Sequence, residues 1–274
     1  MNNQQQVSAN LQLEKAKLER MGSYARSVVY SSKFGHVCPV CAGPKGTKFA
    51  LCKACGDAKK QALGLRPGGI LLADTIRFGH YAYKGEQMYR VAQGYKNTAD
   101  PAANEYQKDI KYIAAEALAV HYPCIAKLTG RPPTAWATIP STKSSRNYGK
   151  PHILTDLVSP FMDRIGIQQL HLQANAEKKH NDINLQAFSL VAEGQQPDLR
   201  HVLLIEDSWA SGATVQSAAA MLRIQGAAYI TVYCMTRIID LSRVEHELGK
   251  GIADGYRMLS YRDRCPWLLE RHPV

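Results

Sequence analysis

Apolar residues fall along this chain in two alternating rhythms. Short, dense runs occupy 134–140 (TAWATIP), 168–173 (QQLHLQ), 201–206 (HVLLIE) and 227–235 (AAYITVYCM), and runs of this length and composition predict strands. Spacing of three and four residues predicts helices over 102–121, 152–165 and 213–225. In the first of these, Tyr106, Ile110, Ile113, Ala117 and Val120 share a face, and Pro123 follows the end. Leu11, Leu18, Met21, Ala25 and Val28 predict an amphipathic helix over 11–29, behind a polar stretch, 1–10, expected to be disordered. Residues 58–72 contain LGLRPGGILL and read as a connector. FGHYAYKGEQMYRVAQGYKN (78–97) mixes aromatic and basic residues, which a half-buried hairpin and helix explain more simply than a base-stacking surface. Strands alternating with helices imply an α/β fold, a parallel sheet flanked by helices.

One strand ends unusually. Val202–Ile205 suit a strand buried on both faces, and Glu206 and Asp207 then follow directly. Carboxylates cannot continue into an apolar interior without a large desolvation cost, so they are expected where the strand emerges at its carboxyl end. Ser208, Ala210, Ser211, Gly212 and Thr214 come next, ahead of an Ala-rich helix. A loop of small residues between strand and helix aims backbone N–H groups at a phosphate. The ligand should therefore carry a phosphate at one end and hydrogen-bond donors for two carboxylates at the other.

A second pattern lies nearer the start, in HVCPVCAGPKGTKFALCKAC (36–55). Cys38 and Cys41, then Cys52 and Cys55, form two Cys-x-x-Cys pairs separated by ten residues. Four thiolates complete a tetrahedral zinc shell, and the insert has the turn residues of a short hairpin. Redox pairs and disulfides are the alternatives; redox chemistry needs one pair and rarely duplicates it around a hairpin. A closed four-cysteine shell has no open coordination position, so its role is structural.

Composition changes this picture little. The chain has 274 residues, 45% hydrophobic and 21% charged, as expected of a globular protein. No apolar run approaches the ~20 residues of a membrane span, and the Gln-rich start lacks a signal peptide's apolar core, so a cytoplasmic location is expected. Seven cysteines, an odd number, suit a reducing compartment. The formal charge of +11 favours anionic partners, nucleic acid or a small polyphosphate, although no long Lys/Arg run concentrates it.

VLLIEDSWASGAT (202–214) resembles the ribose-phosphate signature of type I phosphoribosyltransferases: four apolar residues, two acids, two variable residues, then Thr/Ala-Thr/Ser-Gly-x-Thr. Ala210 stands where many members have Thr. The resemblance implies phosphoribosyl pyrophosphate as ligand, with Mg²⁺. Glu206 and Asp207 would accept from the ribose hydroxyls. Ser208, Trp209, Ala210, Ser211, Gly212, Ala213 and Thr214 would surround the 5′-phosphate. The earlier strand leads into IPSTKSSR (139–146), where Ser141, Thr142, Lys143 and Arg146 would hold pyrophosphate. Together with the Cys-x-x-Cys segment, the arrangement is similar to the ComF-type family, a zinc ribbon ahead of an amidophosphoribosyltransferase-like domain. Pro140, Lys143 and Arg146 match that family's loop, whereas the following RNYGKPH departs from it. KKHNDINLQAF (178–188) loosely matches the segment before the signature strand, through Lys178, Lys179, His180, Asn184, Ala187 and Phe188, and implies a mobile loop at about 173–186. His152 reads as a helix-start residue.

The implied organisation is a tail and helix (1–35), a zinc ribbon (36–70) and a phosphoribosyltransferase-like domain (71–274). The implied reaction transfers the phosphoribosyl group to an unidentified nitrogen nucleophile, catalysed by Glu206, Asp207, Lys143 and Arg146. Base recognition would come from Trp209, Met235–Arg237 or the C-terminal segment. The alternative is a non-catalytic sensor of the same ligand, or a nucleic-acid-binding regulator associated with DNA uptake, and either protein could form homo-oligomers.

Overall fold

The computed structural model describes residues 3–30, 36–142, 148–150, 152–175, 181–191 and 196–269. Its centre is a five-stranded sheet made of β1 (Thr75–Tyr83), β2 (Ala135–Thr138), β3 (Gln168–Gln169), β6 (Val202–Trp209) and β7 (Ile230–Ile239). The order is β1-β7-β6-β2-β3 and every pairing is parallel. The expected α/β architecture is therefore present, a parallel sheet flanked by helices, with a four-cysteine unit toward the N-terminus. A separate antiparallel pair joins β4 (Leu172–Ala174) to β5 (Phe188–Leu190).

Alternation along β6 divides its side chains between two cores. Leu203 and Ile205 pack with α3 (Gln87–Gly94), α4 (Ala103–Ala115) and α6 (Ile153–Ile165). Val202 and Leu204 pack with the four cysteines, α7 (Ala213–Ile224), α8 (Leu241–Leu248) and α9 (Lys250–Arg257). Burial on both faces explains why these strands read as continuous apolar runs. Among the described residues, no helix is long and apolar enough to cross a membrane.

Several elements differ from expectation. The N-terminal helix, α1, spans Asn3–Met21, so it starts inside the stretch expected to be disordered and stops eight residues early, at Gly22. Residues 75–83 form an edge strand of the main sheet, not half of a hairpin. Its pattern misleads because Tyr81, Ala82 and Tyr83 are consecutively buried, as suits a strand covered on both faces. The expected connector begins inside α2 (Lys53–Leu65), whose Ala and Lys content favours helix until Pro67 and Gly68. The 168–173 segment splits into β3 and β4, which belong to different sheets. The 102–121 helix is α4 followed by a π-helical turn (Glu116–Val120), after which α5 (Pro123–Thr129) begins.

Candidate functional site

The chain passes outward from β2 to β3, then returns to lay β6 on the other side of β2. This change of direction opens a crevice beyond the carboxyl ends of β2 and β6, where open α/β sheets bind ligands. The segments rising there are 139–142 and 206–214, the two singled out in the sequence.

The acids sit deeper than expected. β6 continues through both to Trp209, pairing Glu206 with Cys234 and Ser208 with Thr236 on β7. On its other side, the β2 ladder ends at Thr138 opposite Ile205, so β6 runs past β2 at the acids, and alternation sends Asp207 to the Leu203 and Ile205 face and Glu206 to the Leu204 face. Asp207 is 3% exposed and Glu206 9%. Such burial requires partners, and Asp207 has them. Tyr95 Oη donates to Asp207 Oδ2 at 2.6 Å, and the Lys96 ammonium forms an ion pair with the same oxygen. Burial opposes ionisation of Asp207, but the Lys96 charge prevails, with the Lys96 and Tyr95 hydrogen bonds, and holds this carboxyl below its ordinary range. Glu206 moves oppositely: burial and then the Asp207 charge push it well above a normal glutamate. Glu206 Oε1 accepts from the Asp207 N–H at 3.0 Å.

The loop beyond turns on Gly212, which has φ of +83° and forms the N-cap of α7. A Cβ there would lie 2.0 Å from the Trp209 ring, so both the backbone angle and the space require glycine. Glycine at the cap has no side chain to occupy the first-turn N–H groups of α7, and that helix end favours an anion. Ser211 Oγ accepts from Ala213 N–H at 3.4 Å. Ser208, Ser211 and Thr214 are half-buried and Ala210 is exposed. Trp209 packs edge-on against Phe78, 5.6 Å between centroids. With Ser211 and Gln216 it also lines an apolar cleft of about 240 Å³ against α2.

At the end of β2, Ser141 and Thr142 are half-buried, while Lys143 and Arg146 lie outside the described residues. His152 caps α6, as its position in the sequence suggests. Its Nδ1 is 2.9 Å from Thr155 Oγ1 and 3.1 Å from Thr138 Oγ1. Burial keeps its imidazole below the ordinary value against the pull of Asp207. Of the expected mobile loop, 176–180 (with Lys178, Lys179 and His180) lie outside the described residues. Residues 181–187 lie against α2 and α7: Ile183 N–H donates to Gln61 Oε1 and Asn184 N–H to Ser217 Oγ.

Cys38, Cys41, Cys52 and Cys55 are buried, with their sulfurs within 4.8 Å of one another. Cys41 and Cys52 sulfurs are 3.6 Å apart, too far for a disulfide. That separation approaches the edge, about 3.8 Å, of a tetrahedron with zinc–sulfur arms near 2.3 Å. The donor set therefore fits zinc. The first pair lies on a turn closed by a Val37–Pro44 bridge, whereas the second opens α2 rather than forming a second knuckle.

Arg237 connects this unit to the crevice. Its buried guanidinium donates to the carbonyls of Cys41 (2.8 Å), Trp209 (3.0 Å), Ala210 (3.0 Å) and Ile238 (2.6 Å), and Nη2 lies 3.5 Å from Cys41 Sγ. Burial opposes its charge, yet the Cys41 sulfur holds it above the ordinary arginine value. The hairpin glycine, Gly43, makes room, since a Cβ there would lie 2.1 Å from Nη2. Arg237 is thus committed to carbonyls and Met235 is fully buried, so neither fits the base-recognition role expected of 235–237. Sequence reasoning did not identify Tyr95 or Lys96 as site residues; the only signal was the basic–aromatic mixture of 78–97.

No protein-family model matches the chain, and no curated protein matches it. Among solved structures, a hypoxanthine phosphoribosyltransferase from Staphylococcus aureus is similar at 15% identity and a TM-score of 0.30, covering 49% of this chain and 74% of that one. An adenine phosphoribosyltransferase from Leishmania tarentolae is similar at 15% identity and a TM-score of 0.30, covering 60% and 69% respectively.

Proposed function

We propose that this protein binds phosphoribosyl pyrophosphate and transfers its phosphoribosyl group to a nitrogen nucleophile. The observation that carries the reading is the junction of β6 and α7. Two adjacent carboxylates there lie at the strand's carboxyl end, beside a glycine-capped helix N-terminus. Ribose hydroxyls are donors and match Glu206 and Asp207; a 5′-phosphate is an acceptor and matches the N–H groups and hydroxyls of 208–214. For the ribose to bind, Lys96 must release Asp207. Ser141, Thr142, Lys143 and Arg146 meet the pyrophosphate, whose negative charge grows as its bond to the anomeric carbon breaks. The Asp207 carboxylate, and Glu206 once its proton is displaced, suit Mg²⁺, which when bound would neutralise charge on the leaving group. The four cysteines hold a structural zinc. Residues 36–70 form the ribbon and 71–274 the transferase-like unit, preceded by a tail and helix.

A second reading is favoured by Arg237. A four-cysteine unit joined through Arg237 to the 209–210 carbonyls suits a non-catalytic sensor that relays occupancy, with the +11 charge available for nucleic acid.

Melting measurements test the common part. Mg²⁺ and phosphoribosyl pyrophosphate together should raise Tm, and the shift should largely vanish in Asp207→Asn. An unchanged shift in that variant places the ligand elsewhere. Pyrophosphate release against nucleobases, amines and ammonia then separates transferase from sensor.

A further inference from the structure

Away from the crevice, three further metal-ligating side chains converge. His121 and Cys124 stand in His-x-x-Cys spacing at the junction between the π-helical turn and α5, where Cys124 N–H donates to His121 O at 3.0 Å. Cys265 reaches them from the C-terminal segment, and the three ligand atoms lie within 4.8 Å of one another. All three are buried, at 3%, 3% and 1% exposure. Leu268 N–H points at Cys265 Sγ, 3.5 Å away, the backbone contact that stabilises a thiolate. From α1, Glu14 brings a carboxylate oxygen to 3.9 Å from His121 Nε2.

We propose that His121, Cys124 and Cys265 form a second zinc centre, with Glu14 beside it as the carboxylate that orients the ligating histidine. Two thiolates and an imidazole are a borderline-soft donor set suited to zinc rather than to magnesium or calcium. The His-x-x-Cys turn presents two ligands from one short segment, as each Cys-x-x-Cys pair does in the ribbon. Binding displaces the protons of the two thiols to solvent and leaves two thiolates balancing the ion's charge, so the buried centre is neutral before Glu14 contributes. A carboxylate facing the second nitrogen of a ligating histidine accepts its proton in a hydrogen bond and orients the ring. The centre ties together three parts of the chain distant in sequence: α1, the start of α5 and the C-terminal segment.

Metal analysis of the full chain purified under reducing conditions tests this independently of the crevice. Wild type should hold about two zinc ions, and Cys52→Ser/Cys55→Ser about one. Cobalt replacing that remaining ion should show the weaker sulfur charge transfer of a two-thiolate site, not a four-thiolate one. Cys265→Ala and, more mildly, His121→Gln should each lose one ion while retaining the four-thiolate spectrum. Because the Cys52→Ser/Cys55→Ser measurement leaves this second cluster intact, it remains decisive even where Cys265→Ala fails to fold. A wild-type content of about one zinc, wholly lost in Cys52→Ser/Cys55→Ser, would overturn the proposal. A Cys124–Cys265 disulfide in non-reducing peptide maps of the protein as purified would do the same. Copper or iron in place of zinc would also refute it.

Discussion

At Glu206, burial and the neighbouring Asp207 charge act in the same direction, and the folded protein carries the cost. A carboxyl raised above its ordinary 4.5 keeps its proton in the native state while the unfolded chain releases it. The native state then binds more protons, and stability falls as pH rises from 4.5 through the folded value. Asp207 runs the other way: its stabilisation is present above 3.8 and is lost as pH falls through its lowered folded value. Glu206→Gln should therefore raise the Tm of the ligand-free protein, by about 2–4 °C at pH 8 for each kcal/mol relieved. The gain should shrink as pH approaches 4.5, and the thermal shift from phosphoribosyl pyrophosphate should weaken. A scanning-fluorimetry series over pH checks both; equal Tm gains at all pH values would count against the buried-charge explanation.

Between β6 and α7, one residue sets the geometry of a whole turn. Gly212→Ala places a side chain in a left-handed conformation costing about 1–2 kcal/mol and drives Cβ into Trp209. Denaturant melts should show at least that loss. Tryptophan emission should shift as the indole is displaced, and ligand protection should fall because the helix N-terminus is re-aimed. Unchanged emission with normal stability would mean that the turn adopts another conformation. This turn is legible in the sequence because all its information is local: four apolar residues, two acids and a run of small residues are contiguous. The four cysteines are legible for the same reason. Tyr95 is not, since its bond to Asp207 spans 112 positions and depends on how α3 settles over the sheet. β1 hides for a related reason, because its partner β7 is paired across most of the chain. Arg237 lies in an ordinary-looking strand and acquires its role only when the ribbon folds against it.

Across the whole molecule, that arginine makes the ribbon and the crevice mechanically dependent on each other. Arg237→Leu strips donors from buried carbonyls and should cost about 3 kcal/mol or more. Arg237→Lys should restore little, since an ammonium cannot replicate the planar fork. With zinc on the four cysteines and phosphoribosyl pyrophosphate in the crevice, as proposed, chelating that zinc from wild type should then lower affinity for the ligand without touching any residue that contacts it. Equilibrium binding before and after chelation is the measurement, and unaltered affinity would uncouple the two units. The outer parts of the chain show a comparable dependence. Met21 and Trp267 are fully buried in the same core as α3, α4 and α6, and the Trp267 indole donates to Ala117 O at 2.9 Å. The first helix and the last described segment therefore close one side of the sheet jointly, like two ends of a belt on one buckle. Shortening this protein from either end to isolate a minimal folded piece is, physically, a cut into its centre; an internal break at an exposed turn such as Gly85 should be the gentler dissection.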